Sequence, residues 1–393
     1  MIKKQKWYSL YDKVYTEENL KKAWDKVRRN KGAGGIDRVD IATFSKGEEN
    51  NLREIHRLLK AKKYKPTELK RTYIPKSKTE KRPLGIPTIK DRIVQQALLN
   101  ILEPIFEVKF HNDSYGFRPY RSAHQAIKEV KKSISEGKEW IVEVDIRKYF
   151  DTVRHEILLE KLNEEVSDGS VLKLIKSFLR SGVMEEGVKI QTEEGTPQGG
   201  VISPILANIY LNEFDWQMSD EGYKVVRYAD DLVVMCSDKE EAIRAYEKIQ
   251  EIVEDKLKLK IHEGKTRILN HRDERFEFLG FSFHWKYLLI RKKSLEKFKD
   301  KVREVTRRQQ PRNVKEVIQR LNYVLRGFAN YFRIGNVKYT MRDLDGWVRM
   351  RIRCFIEKRK RMHYQSFEYR NTLLKSYGLI SMMEIKINYD SSL

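Results

Sequence analysis

The stretch that decides how the rest of the chain is interpreted reads Val225-Val226-Arg227-Tyr228-Ala229-Asp230-Asp231-Leu232-Val233-Val234-Met235. Two short apolar runs, rich in β-branched residues, flank the four residues Tyr-Ala-Asp-Asp, and such runs are typical of buried strands. Four residues are about the length of a hairpin loop. Two adjacent acids at such a tip repel each other, and a divalent cation usually balances them. A solvated Asp-Asp turn is the alternative for this stretch taken alone.

A second apolar run, residues 140–146, also carries an acid near its end, Asp145. The run predicts another strand. If the two strands are neighbours, Asp145, Asp230 and Asp231 lie together. Three such carboxylates can hold two Mg²⁺ ions about 3.5–4 Å apart for in-line phosphoryl transfer. The second acid therefore favours a metal site over a solvated turn.

The charge of the chain indicates a polyanionic partner. The 393 residues, enough for two or three domains, carry a formal net charge of +23. Residues 286–363 hold 24 Lys and Arg against 7 Asp and Glu, which is net +17. An excess of this size, concentrated in a fifth of the chain, predicts binding to nucleic acid.

Other broad classes are disfavoured by the composition. The sequence contains no run of 18 apolar residues, so it predicts no membrane span. Residues 1–7 lack the apolar core of a signal peptide. Two cysteines rule out a disulfide framework and a cysteine-rich zinc site, which fits a reducing compartment. The sequence thus predicts a cytoplasmic protein that does not bind membranes.

Three motifs in order resemble the reverse transcriptases of bacterial group II introns: an Asp-x4-Phe from Asp145 to Phe150, Thr196-Pro197-Gln198-Gly199-Gly200 with Ser203-Pro204, and Tyr228-Ala229-Asp230-Asp231. The resemblance covers roughly residues 16 to 360. It implies an α/β (α+β) right-hand polymerase, with an antiparallel palm sheet and a helical thumb. The domains expected from it are a fingers extension (1–65), fingers and palm (66–285), a thumb or maturase domain (286–360) and a short tail (361–393).

The resemblance also assigns site residues. Two Mg²⁺ ions, or Mn²⁺ as an alternative, would be bound by Asp145, Asp230, Asp231 and the carbonyl of Ile146. The incoming nucleotide would contact Lys76, Arg82, Phe150, Gln198 and Lys265. RNA or primer would contact Gly32, Gly35, Arg118, Arg121, Gly280 and Arg326.

Sugar choice is expected to be steric. A ring against the 2′ position would exclude a ribonucleotide, and the motif register favours Phe150 for this role. Tyr149 is the alternative, since strand alternation would turn only one of the pair inward. Asp151 is expected to be structural and could cap a helix at 152–162.

The expected activity is RNA-directed DNA synthesis from a DNA or RNA primer with deoxynucleoside triphosphates, combined with binding of group II intron RNA as a splicing maturase. Three alternatives stay open: a maturase without a polymerase role, a host-adopted enzyme of DNA repair or phage defence, and RNA-templated RNA synthesis. No appended endonuclease is recognised in the sequence.

Overall fold

The computed structural model describes residues 6–75, 80–185, 187–190, 193–358 and 371–392. The chain divides into two compact units, Met1–Ile268 and Leu269–Leu393. None of the helices in these described ranges combines the length and apolar character that crossing a bilayer requires. Cys236 and Cys354 are buried free thiols.

The helices of the first unit are built on apolar faces and side-chain caps. In the second helix Leu20, Trp24 and Val27 are buried, and the Thr16 hydroxyl accepts a hydrogen bond from the N–H of Asn19 at its start. The helices are α1 (Tyr11–Val14), α2 (Glu17–Asn30), α3 (Ile41–Lys46), α4 (Glu48–Lys60), α5 (Ile89–Glu107), α6 (Ala123–Ser135), α7 (Tyr149–Thr152), α8 (His155–Glu165), α9 (Gly169–Leu179), α10 (Ser203–Asp220) and α11 (Lys239–Gln250), which continues as a π-helical turn (Glu251–Lys256).

Two sheets organise the same unit. One has the strand order β2-β1-β4-β5 and the other β6-β7-β3-β8. In the second sheet β3 lies between β7 and β8, and its pairing with β7 is antiparallel. The strands are β1 (Leu69–Pro75), β2 (Lys81–Ile86), β3 (Trp140–Asp145), β4 (Val183–Glu185), β5 (Val188–Ile190), β6 (Lys224–Tyr228), β7 (Asp231–Cys236) and β8 (Arg267–Asn270).

The second unit joins an antiparallel sheet, ordered β11-β10-β9, to a helical bundle. The three longest helices described in this bundle have 14, 19 and 19 residues. The elements are β9 (Phe276–Phe278), β10 (Phe281–His284), β11 (Tyr287–Ile290), α12 (Lys292–Val305), α13 (Val314–Phe332), α14 (Lys338–Ile356), α15 (Asn371–Ser376) and α16 (Met382–Asp390).

The described part of the C-terminal segment is more structured than the short tail expected from the sequence. Helix α16 packs on α13 and α14. The buried carboxylate of Asp345 accepts hydrogen bonds from the Ser381 hydroxyl (2.7 Å) and from the N–H groups of Met382 (3.0 Å) and Met383 (3.1 Å). These donors would be unsatisfied at a bare helix start, so Asp345 fixes where α16 begins.

Candidate active site

The hairpin that carries Asp230 is tighter than the sequence predicted. Strands β6 and β7 pair up to Tyr228 opposite Asp231, so the turn contains only Ala229 and Asp230. The predicted four-residue loop is wrong because the ladder extends through its two outer residues. Ala229 has φ +59°, a left-handed conformation that costs a non-glycine residue about 1–2 kcal/mol. Contacts around the turn must therefore hold it in place.

The structure brings two of the predicted carboxylates into register. Asp145, the last residue of β3, is the cross-strand partner of Asp231 at the start of β7. Asp230 lies in the adjoining turn. Burial raises the pKa of Asp230, and the charge of Asp145 raises it further, whereas Arg82 and Arg227 oppose this rise. The three acids thus share one corner of the sheet and repel one another.

The corner has the chemistry of a hard-cation site. Among the described residues no group of three His, Cys, Asp or Glu side chains is already arranged around a metal position. Lys265 Nζ lies 3.2 Å from Asp145 Oδ2 and supplies a positive charge there. Carboxylate oxygens are the ligands that Mg²⁺ takes in proteins, so the donor set fits Mg²⁺.

The backbone beside Asp145 leaves one carbonyl outside its ladder. The carbonyl of Asp145 accepts the N–H of His262 (2.8 Å), and the N–H of Arg147 donates to the carbonyl of Lys260 (2.8 Å). Ile146, which lies between these two bonds, forms the bridge to Ile261. Its own carbonyl takes no part in the pair of bonds, which suits the predicted metal ligation.

A buried ion pair below the hairpin was missed by the sequence analysis. The Arg227 guanidinium donates two hydrogen bonds to the Asp215 carboxylate, one of them from Nε at 2.7 Å, and both side chains are almost fully buried. Burial alone would lower the pKa of Arg227, but Asp215 outweighs it and the pKa is raised. An arginine inside an apolar strand was the available signal, since buried charges are nearly always paired.

The two candidate gate residues lie next to each other on the short helix α7. Lys148 has φ +47°, and the chain then turns into α7, so strand alternation does not apply. The Tyr149 ring is buried and its hydroxyl donates to the carbonyl of Ala207 (2.5 Å). Phe150 is only partly buried and makes an edge contact with Phe117. Phe150 is therefore the ring that remains accessible.

The helix cap that the sequence suggests for Asp151 is not formed. Asp151 lies inside α7, and Arg154 occupies the cap position of α8 without a side-chain cap. Burial raises the pKa of Asp151, and the charges of Lys148, Arg71 and Arg82 oppose this rise. Arg82, an exposed residue of β2, thus influences both Asp151 and Asp230. Lys76 lies outside the described residues.

The glycine-rich loop before α10 lies against β2 and α7. The carbonyl of Gln198 accepts the N–H of Gly85 (2.7 Å), and a Cβ on Gly199 would approach the Gly85 carbonyl oxygen to 2.3 Å. On the other side the N–H of Thr196 donates to the carbonyl of Phe150 (2.7 Å). Gln198 and Phe150 are therefore held in one connected backbone network.

Arg118 and Arg121, two predicted RNA contacts of the first unit, differ in how their guanidinium groups are bonded. All five guanidinium N–H groups of Arg118 are used by Glu107, His111 and Ser114. This buried side chain has no donor left for RNA, so we withdraw that prediction. Arg121 is half-buried: its guanidinium lies over the ring of Tyr115 and donates to the carbonyl of Asn112 (3.3 Å).

The loop at Gly32 and Gly35 packs closely on the start of α5. A Cβ on Gly35 would come within 2.7 Å of Thr88, and the carbonyl of Ala33 accepts a hydrogen bond from Arg92. Close packing is thus one reason for Gly35. A role of Gly32 and Gly35 in RNA binding stays a prediction.

In the second unit Gly280 forms the β9–β10 turn. It has φ +79° and follows Leu279 at φ +48°, and the Tyr331 hydroxyl donates to the carbonyl of Leu279 (2.8 Å). Arg326 is exposed on α13. Of these two predicted nucleic-acid contacts, Arg326 is exposed and Gly280 is half-buried.

Comparison with known protein families gives two matches along the chain. Residues 74–283 match the family described as reverse transcriptase (RNA-dependent DNA polymerase). Residues 295–373 match the family described as group II intron, maturase-specific domain. The first match covers more than half of the chain. The chain therefore belongs to the reverse transcriptase family, and it carries the maturase-specific domain of group II introns. The predicted α/β polymerase fold class is confirmed.

Two curated proteins and one solved structure illustrate what this chain is similar to. Protein YkfC of Escherichia coli is 37% identical over 59% of this chain and 69% of its own length. Group II intron-encoded protein LtrA of Lactococcus lactis is 31% identical over 66% of this chain and 54% of its own length. The chain thus spans about half the length of LtrA. Telomerase from Candida albicans, a solved structure, aligns with 11% identity over 87% of this chain and 69% of that chain, with a TM-score of 0.46.

Proposed function

We propose that this reverse transcriptase extends the 3′-hydroxyl of a DNA or RNA primer on an RNA template, using deoxynucleoside triphosphates. The site is the corner formed by Asp145, Asp230 and Asp231. The register of Asp145 opposite Asp231, with Asp230 in the adjoining turn, is the observation that carries the proposal. The primer oxygen forms a bond to the α-phosphorus, pyrophosphate leaves, and the hydroxyl proton passes to solvent.

The three carboxylates and the Ile146 carbonyl would hold two Mg²⁺ ions, or Mn²⁺ as an alternative. Bound ions of this kind balance charge on the attacking and leaving oxygens. The chain itself contributes positioning, which accounts for much of the catalysis in phosphoryl transfer. Lys265, already next to Asp145, supplies a positive charge that moves to the triphosphate when the nucleotide binds.

Arg82 and Phe150 would define the nucleotide pocket. The charge of Arg82 reaches the carboxylates of Asp230 and Asp151, which supports a place beside the triphosphate. Phe150 would exclude a 2′-hydroxyl because its ring is accessible whereas the ring of Tyr149 is buried. Gln198 would contact the base or template. Lys76 is proposed on the sequence resemblance alone.

The second activity we propose is binding of group II intron RNA. The maturase-specific match supports it, as does the excess of Lys and Arg in residues 286–363. Exposed cations such as Arg326 would neutralise phosphates without reading sequence. We assign fingers and palm to residues 66–285 and the thumb to residues 286–360.

One experiment tests the polymerase site. Extension of oligo(dT) on poly(rA) with dTTP and Mg²⁺ is measured for the wild type, Asp230→Asn and the control Asp220→Asn, which alters an exposed acid at the end of α10. We expect extension by the wild type and the control only. Extension by Asp230→Asn would refute the site. Loss of extension with intron splicing retained would separate the polymerase from the maturase activity.

A further inference from the structure

The turn that bears Asp230 is held by the Arg227 side chain of β6, and side chains of helix α10 hold Arg227 in turn. Arg227 Nη1 donates to the carbonyl of Ala229 (3.1 Å), the residue directly before Asp230. The same nitrogen donates to Asn208 Oδ1 (3.1 Å). Arg227 is in turn fixed by the carboxylate of Asp215. Both Asn208 and Asp215 lie on α10, so this helix determines where the turn sits.

A second contact holds the other side of the turn. Asn208 Nδ2 donates to the carbonyl of Gly116 (2.7 Å). A Cβ on Gly116 would lie 2.3 Å from the nitrogen of Ala229, so the two backbones are packed without space for a side chain. The N–H of Tyr115 also donates to the carbonyl of Arg227 (2.9 Å). The turn is thus enclosed between residues 115–116 and the Arg227 guanidinium.

The position of Arg227 in this network sets it apart from an ordinary buried ion pair. A pair that only stabilised the fold would need no bond to the turn. Here the guanidinium satisfies a carbonyl of the strained residue Ala229. A buried ion pair is weak as a source of stability but can fix one geometry. Catalytic groups need such support because an error of about 1 Å can cost about 100-fold in rate.

We propose that Arg227 is a positioning residue for the polymerase site: held by Asp215 and Asn208, it sets the Ala229–Asp230 turn so that the Asp230 carboxylate faces Asp145. Arg227 touches neither substrate nor the reacting atoms. This inference rests on the proposed function, since it takes Asp230 to be part of the active site. It predicts that loss of the network changes turnover and the requirement for Mg²⁺, and leaves RNA binding unchanged.

The test must separate positioning from folding. The double variant Arg227→Met with Asp215→Leu replaces both charges by apolar groups, which is often neutral for stability. The matched control is Lys161→Met with Glu213→Leu, a second ion pair that also involves α10. Asn208→Ala is the additional variant, which keeps the Arg227–Asp215 pair. Each is assayed at a temperature at which circular dichroism shows it to be folded.

We expect the Arg227/Asp215 variant to lose about tenfold or more in kcat and to need several-fold more Mg²⁺ for half-maximal extension. The KM for dTTP and the Kd for primer–template without metal stay within roughly twofold of the wild type. Asn208→Ala shifts in the same direction by less, and the Lys161/Glu213 control does not shift.

Wild-type kcat and Mg²⁺ dependence in the folded Arg227/Asp215 variant would overturn the inference. An equal loss in the Lys161/Glu213 control would also overturn it, because the loss of any ion pair on α10 would then have the same effect. Asp230→Asn is run beside them. If Asp230→Asn is active, the proposed site itself fails. If it is inactive while the Arg227/Asp215 variant is normal, only the positioning role fails.

Discussion

Gly116→Ala tests how closely the turn beside Asp230 is fitted. A Cβ at this position would lie 2.3 Å from the nitrogen of Ala229 and 2.9 Å from the carbonyl carbon of Tyr228. Non-bonded heavy atoms are comfortable at about 3.5 Å, so one of the two backbones must move by about 1 Å. We expect a stability loss of about 1–3 kcal/mol from overpacking and a rate loss of up to about 100-fold from the misplaced carboxylate.

The assay is single-turnover incorporation of dTTP opposite poly(rA) at saturating Mg²⁺, with a thermal melt of each protein. Gly169→Ala is the matched control, because a Cβ there meets no heavy atom within 4 Å. An incorporation rate for Gly116→Ala within about threefold of the wild type would refute the reasoning. Such a result would mean that the turn tolerates displacement without loss of geometry at Asp230.

Four further outcomes are expected. Phe150→Val admits ribonucleotides in a competition between dTTP and UTP, and unchanged sugar choice in this variant would contradict the role of Phe150 in excluding the 2′-hydroxyl. Tyr149→Phe leaves sugar choice unchanged and lowers the free energy of unfolding by about 1 kcal/mol, because the hydrogen bond to the carbonyl of Ala207 is lost. Asp345→Ala lowers the stability of the second unit by about 1–2 kcal/mol, seen as a lower urea midpoint, because three donors at the start of α16 lose their acceptor. Burial lowers the pKa of His155 below its usual 6.5, so protonation favours the unfolded chain. The stability contribution is then complete above about pH 6.5 and is lost as pH falls through the lowered pKa. We expect the urea midpoint of His155→Gln to change less between pH 7 and pH 5 than that of the wild type. An equal change in the two proteins would contradict this.

The sequence predicted the elements whose signals are local. The apolar runs around Asp230 and at residues 140–146 became β6, β7 and β3. Each signal depends on residues that follow one another directly, so periodicity and turn chemistry were sufficient. The grouping of the three acids was also predicted, because the family resemblance supplied the long-range pairing.

Features that depend on distant partners were not predicted. Arg118 was predicted to contact RNA, but its guanidinium donates instead to Glu107 and to the carbonyls of His111 and Ser114. The pair of Arg227 with Asp215 joins a strand to a helix. The two-residue turn at Ala229 is determined by how far a ladder extends. Sequence patterns describe which face of an element is apolar, but the partners of a buried charge depend on tertiary packing.

Because Asp145 pairs with Asp231, strand β3 waits for its partner strand β7 while the protein is being synthesised. About 85 residues separate these two strand partners in the chain. At about 5–20 residues per second, the ribosome needs roughly 4–17 s to synthesise that interval. During this time strand β3 has an open edge where β7 will later pair, and exposed edges invite wrong pairing. The acid at its end, Asp145, then gives the unpaired edge a charge that opposes association with another chain.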